Sequence, residues 1–484
     1  MDEGLLLLIV GGVLAASIVV AFGATRAGVP SLVAFLALGM LLGSDGLGGI
    51  EFDDAELARK VGVVALAAIL FEGGLATSWR RLREVAVPAT LLATVGVVVT
   101  AVLTGLAAYA LFDLSWLQSV LLGAVVASTD AAAVFATLRF THIGRRLART
   151  LEAETGGNDP MAIALTIGLI DWIQKPDYGI GDLALLVVRQ LGLGLLVGVA
   201  LGAVATWVFA RLPHSIGAFA PVASVAAGAL SFGVADVIGG SGFLAVYLVG
   251  LAVGSTPSRF RRQLVAFHEG LAFVAQVVMF VVLGLLVFPH ELGSVALSGL
   301  ALAALLVLVI RPVAVWASTA LSRFTARERL LLGWAGLRGA VPIVLGTIVL
   351  SEDVHDSKTI FNAVFFVVVV STLVQGTTLE WVAERLQLVS VVPAELAPPL
   401  EVHDRSSLEL VDFDVAPDHA IVGSAVRELG LPRTALVAVV ARGDETIPPR
   451  GSTVIRPGDR LFVLAPRSLR PEIEDVFARW RRRV

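Results

Sequence analysis

The sequence has no cysteine, and it has only seven histidines in 484 residues. Without cysteine the chain cannot form a disulfide, a thiolate metal site or a cysteine nucleophile. The histidines are scattered and lack the His-Glu-x-x-His spacing of a zinc site. These absences exclude thiol-based redox chemistry and give no indication of a transition metal or another cofactor.

Charged residues are also scarce. They make up 16% of the chain, against 57% hydrophobic residues, and the mean hydropathy is +0.87. Soluble domains contain only about 45–50% apolar residues. The composition therefore predicts a polytopic membrane protein that contacts membrane lipid. The net charge of −4 gives no support for binding to nucleic acid.

Apolar runs of about 20 residues have the length of a membrane-spanning helix. Arginines lie in alternate loops between these runs, whereas the opposite loops hold only Arg59, Lys60, Lys175 and Lys358. The positive-inside rule then predicts an N-terminus outside and a C-terminus in the cytoplasm. The expected fold is all-α with thirteen spans, at residues 5–24, 29–43, 59–77, 85–112, 116–138, 151–173, 182–210, 218–236, 240–256, 266–288, 293–316, 330–350 and 358–383.

Three of these spans contain polar residues or helix breakers that a plain membrane anchor does not need. Span five contains Ser-Thr-Asp at residues 128–130, span six contains Gly-Gly-Asn-Asp-Pro at 156–160, and span twelve contains Gly-Leu-Arg-Gly-Ala-Val-Pro at 336–342. Proline and glycine weaken the helix at such positions. Interrupted spans in the two halves of a chain are typical of a transporter site built from broken helices.

The charged residues of these interruptions lie at similar depth. Asp130, Asp159 and Arg338 each lie about eight residues from the cytoplasmic end of their span, or about 12 Å at a helical rise of 1.5 Å. The three side chains can therefore meet in one plane. Spans five and twelve run in opposite directions, which predicts an inverted repeat of about six helices.

Two pairs of polar side chains share faces of span six. Thr155 and Asp159 are four residues apart, as are Glu154 and Asn158, so each pair lies on one helix face. Carboxylate, hydroxyl and amide oxygens are ligands that suit a hard cation. The pattern therefore predicts a cation site on this helix.

Thr129 and Asp130 would complete the predicted site. A buried carboxylate can be satisfied by a proton or by a cation, and competition between the two at Asp159 would couple their movements. Counting Asp130, Asp159, Glu154 and Arg338 gives a formal charge of −2 before loading. We expect Glu154 to pair with Arg338, which leaves the two aspartates as the working pair.

Four motifs resemble one known family. Residues 154–162 read Glu-Thr-Gly-Gly-Asn-Asp-Pro-Met-Ala, which resembles the Asn-Asp signature of NhaP-type monovalent cation/proton antiporters. Residues 71–74, 128–130 and 336–342 resemble the same family, in the same order. The resemblance covers roughly residues 5–385.

The resemblance implies roles for the site residues. Asp159 would exchange cation and proton, with Asp130, Thr129 and Thr155 as further ligands of the transported alkali cation, and Glu72 would lie at the cytoplasmic approach. The remaining residues, Glu154, Asn158 and Arg338, would hold the two broken helices together.

The same resemblance implies how the protein works. The asparagine at position 158 is similar to that of the electroneutral branch, which implies one cation per proton. The family also implies a homodimer in the cytoplasmic membrane, with no cofactor and with K⁺ or Na⁺ and H⁺ as the transported ions.

The composition changes after Gln387. We expect a transmembrane domain at 1–387, a proline-containing linker at 388–407 and a cytoplasmic α+β domain at 408–484. Alternating and apolar runs predict strands, and the 3.6-residue period predicts helices. The predicted strands are 411–415, 436–441 and 461–465, with a turn at 443–444, and the predicted helices are 422–429 and 468–480.

This tail resembles the TrkA C-terminal (TrkA-C, or RCK-C) regulatory domain, through residues 423–430 and 456–461. Together with the variant at 156–161 it is most similar to the CvrA group of potassium/proton antiporters. The resemblance implies a small regulatory ligand, such as a nucleotide, on the tail.

Two other functions use similar residues. An intramembrane aspartyl protease needs two membrane aspartates, but its Tyr-Asp and Gly-x-Gly-Asp motifs do not surround Asp130 or Asp159. A cation channel gated by the tail would need a filter-like repeat, which the sequence lacks. We therefore expect a secondary antiporter for pH and cation homeostasis, and not an enzyme.

Overall fold

The computed structural model describes residues 3–130, 133–135, 142–212, 219–256, 258, 260–352, 354–390, 408–442, 445–466 and 469–481. The chain divides into two compact units, residues 1–390 and 391–484. Most of the predicted linker, residues 391–407, and the predicted turn at 443–444 lie outside the described residues.

The first unit is helical, and a helix lies at each predicted span. Among the described residues, seven helices are long and apolar enough to cross a membrane, two of them counted through a π-helical turn. The chain is therefore a multi-pass membrane protein, and the total of thirteen spans stays a prediction. The helices are α1 Glu3–Arg26, α2 Ser31–Leu42, α3 Ala55–Ala76, α4 Trp79–Arg83, α5 Ala86–Leu91, α6 Val97–Leu111, α7 Trp116–Val125, α8 Arg145–Gln174, α9 Ile180–Arg211, α10 Ala220–Val237, α11 Gly242–Ser255, α12 Arg261–Leu285, α13 Pro289–Leu305, α14 Arg311–Ser318, α15 Ala326–Trp334, α16 Ala340–Ser351 and α17 Ser357–Arg385.

Matching irregularities support the predicted inverted repeat. A π-helical turn, Leu92–Gly96, joins α5 to α6, and a second, Leu306–Ile310, joins α13 to α14. In each case the next span is broken, by residues 126–130 after α7 and by residues 335–339 between α15 and α16. The π-turns fall in predicted spans four and eleven and the breaks in spans five and twelve, so both pairs are seven spans apart.

The predicted interruption of span six is wrong. Helix α8 continues through Pro160 for 30 residues without a break. Proline removes one hydrogen bond from a helix, but residues 158–165 are all buried. Packing on every side keeps this turn helical against its local preference.

A short strand pair ties the end of the last membrane helix to the chain before α8. Strand β1, His142–Ile143, pairs antiparallel with β2, Val389–Ser390, which follows α17. The chain that leaves the first unit is therefore held beside the N-terminus of the helix that carries Asp159.

In its described residues, the second unit is a four-stranded antiparallel sheet with one α-helix. Its strands are arranged in the order β3-β6-β4-β5, and Val440, Leu461 and Val463 are fully buried in its core. The elements are β3 Leu408–Asp414, β4 Leu436–Arg442, β5 Glu445–Ile447, β6 Asp459–Pro466 and α18 Arg470–Trp480.

The predicted helix at 422–429 is wrong, and strand β5 was not predicted. Only a 3₁₀ turn, Val426–Glu428, forms in that stretch. Gly423 has a φ of +86°, which lies outside the helical region, and Ala425 forms an antiparallel bridge with Val454. Backbone N–H and C=O groups that would form hydrogen bonds within a helix are instead bonded across this bridge.

One buried ion pair is expected to stabilise this unit. The Asp459 side chain is fully buried and accepts hydrogen bonds of 2.8 Å from Arg442 Nε, Arg442 Nη2 and the Arg456 backbone N–H. Burial by itself would raise the pKa of Asp459, but these donors outweigh it and hold the pKa below its usual value. Because the pKa falls on folding, the stabilisation is present above the unfolded-state pKa of about 3.9 and is lost as the pH falls through the folded value.

Asp459→Asn is therefore expected to reduce the free energy of unfolding of this unit by about 2–3 kcal/mol at neutral pH. Hydrogen exchange of residues 408–481 in the full-length protein measures the change. Asp412→Asn is the matched control, because Asp412 pairs with Arg460 at the surface and such pairs contribute only about 0–1 kcal/mol. Equal effects of the two substitutions would contradict the prediction.

Candidate functional site

Two extended segments cross at the centre of the first unit. The Asp130 backbone N–H, in the break after α7, donates to the Leu337 carbonyl between α15 and α16, at 2.9 Å. A Cβ at Gly339 would lie 2.0 Å from Asp130 Oδ2, so this position accepts only glycine. The Ala133 N–H donates to Asp130 Oδ1 at 3.2 Å, as in the N-cap of a helix.

The Arg338 side chain caps the C-terminal end of α7, where span five is broken. Its side chain is 1% exposed, and Nη1 donates to the carbonyls of Ala127 and Ser128 at 3.2 and 2.8 Å. These carbonyls have lost their helical partners, and a cation at a helix C-terminus is favourable. Thr372 Oγ1 in α17 donates to the Arg338 carbonyl at 2.7 Å, which fixes the segment that carries the guanidinium.

Asp159 faces this crossing from the middle of α8. The residue is 4% exposed, Ser128 Oγ donates to its Oδ1 at 2.8 Å, and Asp130 is near enough to interact with it electrostatically. We did not single out Ser128 as a site residue from the sequence. The signal was its place in the Ser-Thr-Asp triplet, one residue before the predicted ligand Thr129.

Thr129 connects the rest of the polar network. Its Oγ1 accepts from Asn158 Nδ2 at 2.7 Å and donates to Glu154 Oε1 at 3.4 Å. Its carbonyl accepts from Thr155 Oγ1 at 3.3 Å. Asn158, Glu154 and Thr155 thus fasten the break in span five to α8.

The predicted pair between Glu154 and Arg338 is wrong. Glu154 Oε1 instead accepts from Arg311 Nη2 at 2.6 Å, and the two side chains are 1% and 2% exposed. Arg311 stands directly after the π-turn of span eleven, five residues before the predicted end of that span, where a long basic side chain would ordinarily reach water. It is the only charged residue at 293–316, which is the signal that could have identified it.

Arg311 changes the charge of the site. Asp130, Asp159 and Glu154 together with the guanidinium groups of Arg311 and Arg338 leave a formal charge of −1, and not the predicted −2. A single proton or a single alkali cation is enough to neutralise this cluster.

Several buried polar atoms of the cluster have no hydrogen-bond partner among the described residues. They are Glu154 Oε2, Asn158 Oδ1, Arg311 Nε and Arg338 Nη2. Buried polar atoms are rarely left unpaired, and two of these four are oxygen acceptors of the kind that bind water or a hard cation.

Glu72 stands apart from this network. It lies in α3 and is partly buried, and in the part of the chain that the structure describes no hydrogen bond or ion pair joins it to Asp159 or Asp130. Its predicted place at the approach to the site stays a prediction.

Comparison with known proteins relates the chain to ion transporters. Residues 13–385 match the family described as "Sodium/hydrogen exchanger, transmembrane", and residues 410–478 match the TrkA-C domain. The chain is 38% identical over 477 residues to the K(+)/H(+) antiporter NhaP2 of Shewanella sp. (strain ANA-3), covering 97% of this chain and 83% of that protein.

Two further proteins extend the comparison. The K(+)/H(+) antiporter NhaP of Alkalimonas amylolytica is 39% identical over 483 residues, covering 98% of this chain and 83% of that protein. The structure of the sodium proton antiporter MjNhaP1 from Methanocaldococcus jannaschii aligns with a TM-score of 0.69 at 21% identity, covering 80% of this chain and 99% of that one. This alignment shows a shared fold.

Proposed function

The chain belongs to the sodium/hydrogen exchanger family and is a cation/proton antiporter, not an enzyme, and on this premise we propose that Asp159 is the carboxylate at which cation and proton compete. The observation that carries the proposal is the place of Asp159. It is a buried carboxylate in the middle of an unbroken helix whose residues 158–165 are all buried, and an ionisable group there is unfavourable unless it is used. Among the described residues its neighbours are the Ser128 hydroxyl and the carboxylates of Asp130 and Glu154, which suit a cation, and no ion pair there supplies Asp159 with a counter-ion.

The formal charge of −1 supports a one-for-one exchange. With a proton or a monovalent cation bound at Asp159 and Asp130, the cluster is neutral, and the site can change its access from one side of the membrane to the other. Without either it carries a charge, and enclosing that charge during the change is unfavourable. Transport therefore takes place only with one of the two ions loaded, and the exchange is electroneutral.

In this mechanism three further oxygen atoms help to bind the cation at Asp159 and Asp130. Ser128 and Thr155 supply hydroxyl oxygens, and the Thr129 carbonyl supplies a further oxygen. A hard cation takes such ligands together with the two aspartates. Glu154, paired with Arg311, and Asn158 hold the break in place and stay charged or polar throughout the cycle.

We propose K⁺ as the main cation, because the relatives at 38% and 39% identity are named as potassium/proton antiporters. We also propose a homodimer in the cytoplasmic membrane with the N-terminus outside and the tail inside. The alternating arginine loops support this orientation. The tail, with its TrkA-C match, would be a regulatory domain at 408–484 that takes a small ligand such as a nucleotide, after a transmembrane domain at 1–387 and a linker at 388–407.

Purified protein in liposomes that contain a pH-sensitive dye tests the proposed function. Adding K⁺, Na⁺ or Li⁺ in turn to acid-loaded liposomes is expected to raise the internal pH, most strongly with K⁺. Because the exchange is electroneutral, the rate should not change when a membrane potential of either sign is imposed. Cation flux without proton movement would contradict antiport and favour a channel.

A further inference from the structure

Tyr247 in α11 is packed against the helix that carries Asp159. A Cβ at Gly156 would lie 2.2 Å from Tyr247 Cζ and 2.5 Å from its Oη. The ring is 6% exposed, so it rests directly on the α8 backbone at a position that has no side chain. Any residue larger than glycine at position 156 would displace the ring.

The ring lies between two acidic residues of α8. Residues three and four apart share a helix face, so Glu152, Gly156 and Asp159 follow one another along one side of the helix. Glu152 is partly exposed and lies toward the Arg145 end of α8, whereas Asp159 is buried. Because the ring rests on Gly156, it lies on this helix face at the level between the two acids.

The backbone that carries Tyr247 is held firmly by α3. A Cβ at Gly74 would lie 2.3 Å from the Tyr247 carbonyl oxygen, and a Cβ at Gly250 would lie 2.3 Å from the Phe71 carbonyl oxygen. A Cβ at Gly254 would lie 2.2 Å from the Leu75 carbonyl oxygen. The α3 and α11 backbones therefore touch at successive turns, an arrangement that favours tight helix packing in membranes.

The contact of Tyr247 with α8 is of a different kind. It joins one aromatic side chain to the α8 backbone at Gly156, whereas α3 and α11 meet backbone to backbone. Movement of α8 relative to the α3–α11 pair therefore changes the contact between Tyr247 and Gly156 directly.

We propose that Tyr247 is a gating residue of the antiporter. Its ring closes the path from Glu152 to Asp159, and it leaves Gly156 when Asp159 exchanges its ion with the solution at the Arg145 end of α8. The inference rests on the proposed role of Asp159, but its test measures access to the site and requires no transport.

The absence of cysteine makes a direct test available, because an introduced cysteine is the only thiol in the chain. Ser128→Cys places a thiol beside Asp159, so the proposed gate would lie between this thiol and the solution at the Arg145 end of α8. Its rate of reaction with a water-soluble, membrane-impermeant methanethiosulfonate is measured with Tyr, Phe or Ala at position 247. We expect Tyr247→Ala to raise the rate by about tenfold or more, which corresponds to removing a barrier of about 1.4 kcal/mol, and Tyr247→Phe to leave the rate unchanged.

Glu152→Cys is the matched control, since it lies on the same helix face but on the open side of the ring. Its rate is expected to be the same with all three residues at position 247. Tyr247→Leu, which keeps an apolar side chain of smaller reach, replaces Tyr247→Ala if the alanine variant does not fold, and should raise the Ser128→Cys rate in the same direction.

Two outcomes would overturn the proposal. In the first, the Ser128→Cys rate is the same with Tyr and with Ala or Leu at position 247. In the second, the Glu152→Cys rate rises in parallel, which would indicate general loosening of the helices. Failure of the proposed role of Asp159 is recognised separately, as continued exchange by a variant that lacks that carboxylate.

Discussion

Asp159→Asn is expected to abolish cation-driven proton movement, with a loss of at least about 100-fold, equivalent to about 2.7 kcal/mol or more. An amide cannot take up and release a proton in the physiological pH range, and it offers a cation only one neutral oxygen. The loss should be the same for K⁺, Na⁺ and Li⁺, because both competing ions lose their shared site. Fluorescence of the trapped pH dye, after addition of each cation, measures the effect.

The loss of activity in this variant should not be accompanied by a loss of stability. Asp159 is a buried carboxylate, and replacing it with a neutral group of the same shape removes the desolvation cost of the charge. The thermal unfolding temperature in detergent is therefore expected to stay the same or to rise. A fall in both activity and unfolding temperature would indicate a structural role instead.

Asp171→Asn is the matched control for this experiment. Asp171 lies on the same helix, but its side chain is 26% exposed and pairs with Lys175 one turn further on. Such pairs contribute about 0–1 kcal/mol, so exchange should continue at close to the original rate. If Asp159→Asn also exchanged at that rate, the proposed site would be wrong.

Arg311→Met is expected to lower the free energy of unfolding by about 3–5 kcal/mol, since it leaves the Glu154 carboxylate buried without its partner. The double variant Glu154→Gln with Arg311→Met should recover at least about half of this loss, because neither charge then remains. Thermal unfolding of the purified protein measures both changes, and exchange in liposomes shows whether the pair only fixes geometry.

The more exposed ion pair between Arg149 and Glu84 is the control, because it tests whether burial sets the stability contributed by an ion pair. Its side chains are 24% and 61% exposed, so Arg149→Gln should change the stability by no more than about 1 kcal/mol. A similar loss for Arg149→Gln and Arg311→Met would mean that burial does not set the strength of the Glu154 pair.

The contrast between Asp159 and Arg311 shows which parts of the site could be predicted from the sequence. Asp130, Asp159 and Arg338 are charged residues inside predicted apolar spans, and the unfavourable burial of charge in a membrane identifies such residues without a structure. Arg311 stands five residues before the predicted end of its span at residue 316. Depth counted along a straight helix therefore favoured a side chain that reaches water.

The π-turn of span eleven explains why the partner predicted for Glu154 was wrong. One extra residue in a turn shifts every later side chain around the helix axis. Arg311 follows Leu306–Ile310 directly, so its face cannot be calculated from a period of 3.6. The turn itself reads Leu-Val-Leu-Val-Ile and carries no local signal.

Pro160 and the tail show the opposite kind of error, in which a local signal was overridden. Proline favoured an interruption, but burial of the surrounding turn keeps α8 continuous. In the tail, the apolar residues at 422–429 fit a helical period, and a bridge to Val454 prevents the helix. In both places long-range contacts decide the local structure, and these contacts are not visible in a single sequence.

Because α8 is unbroken, it can tilt as one rigid helix and so expose Asp159 to one side of the membrane at a time. Fourteen residues precede Asp159 in this helix and fourteen follow Pro160, so the carboxylate sits at the midpoint of a rod about 45 Å long. A tilt of about 10° around that midpoint would carry the two ends about 4 Å in opposite directions, while Asp159 hardly moves. Such a tilt would open access to Asp159 at one end of α8 while it closes access at the other end. The bound ion would then hardly move across the membrane.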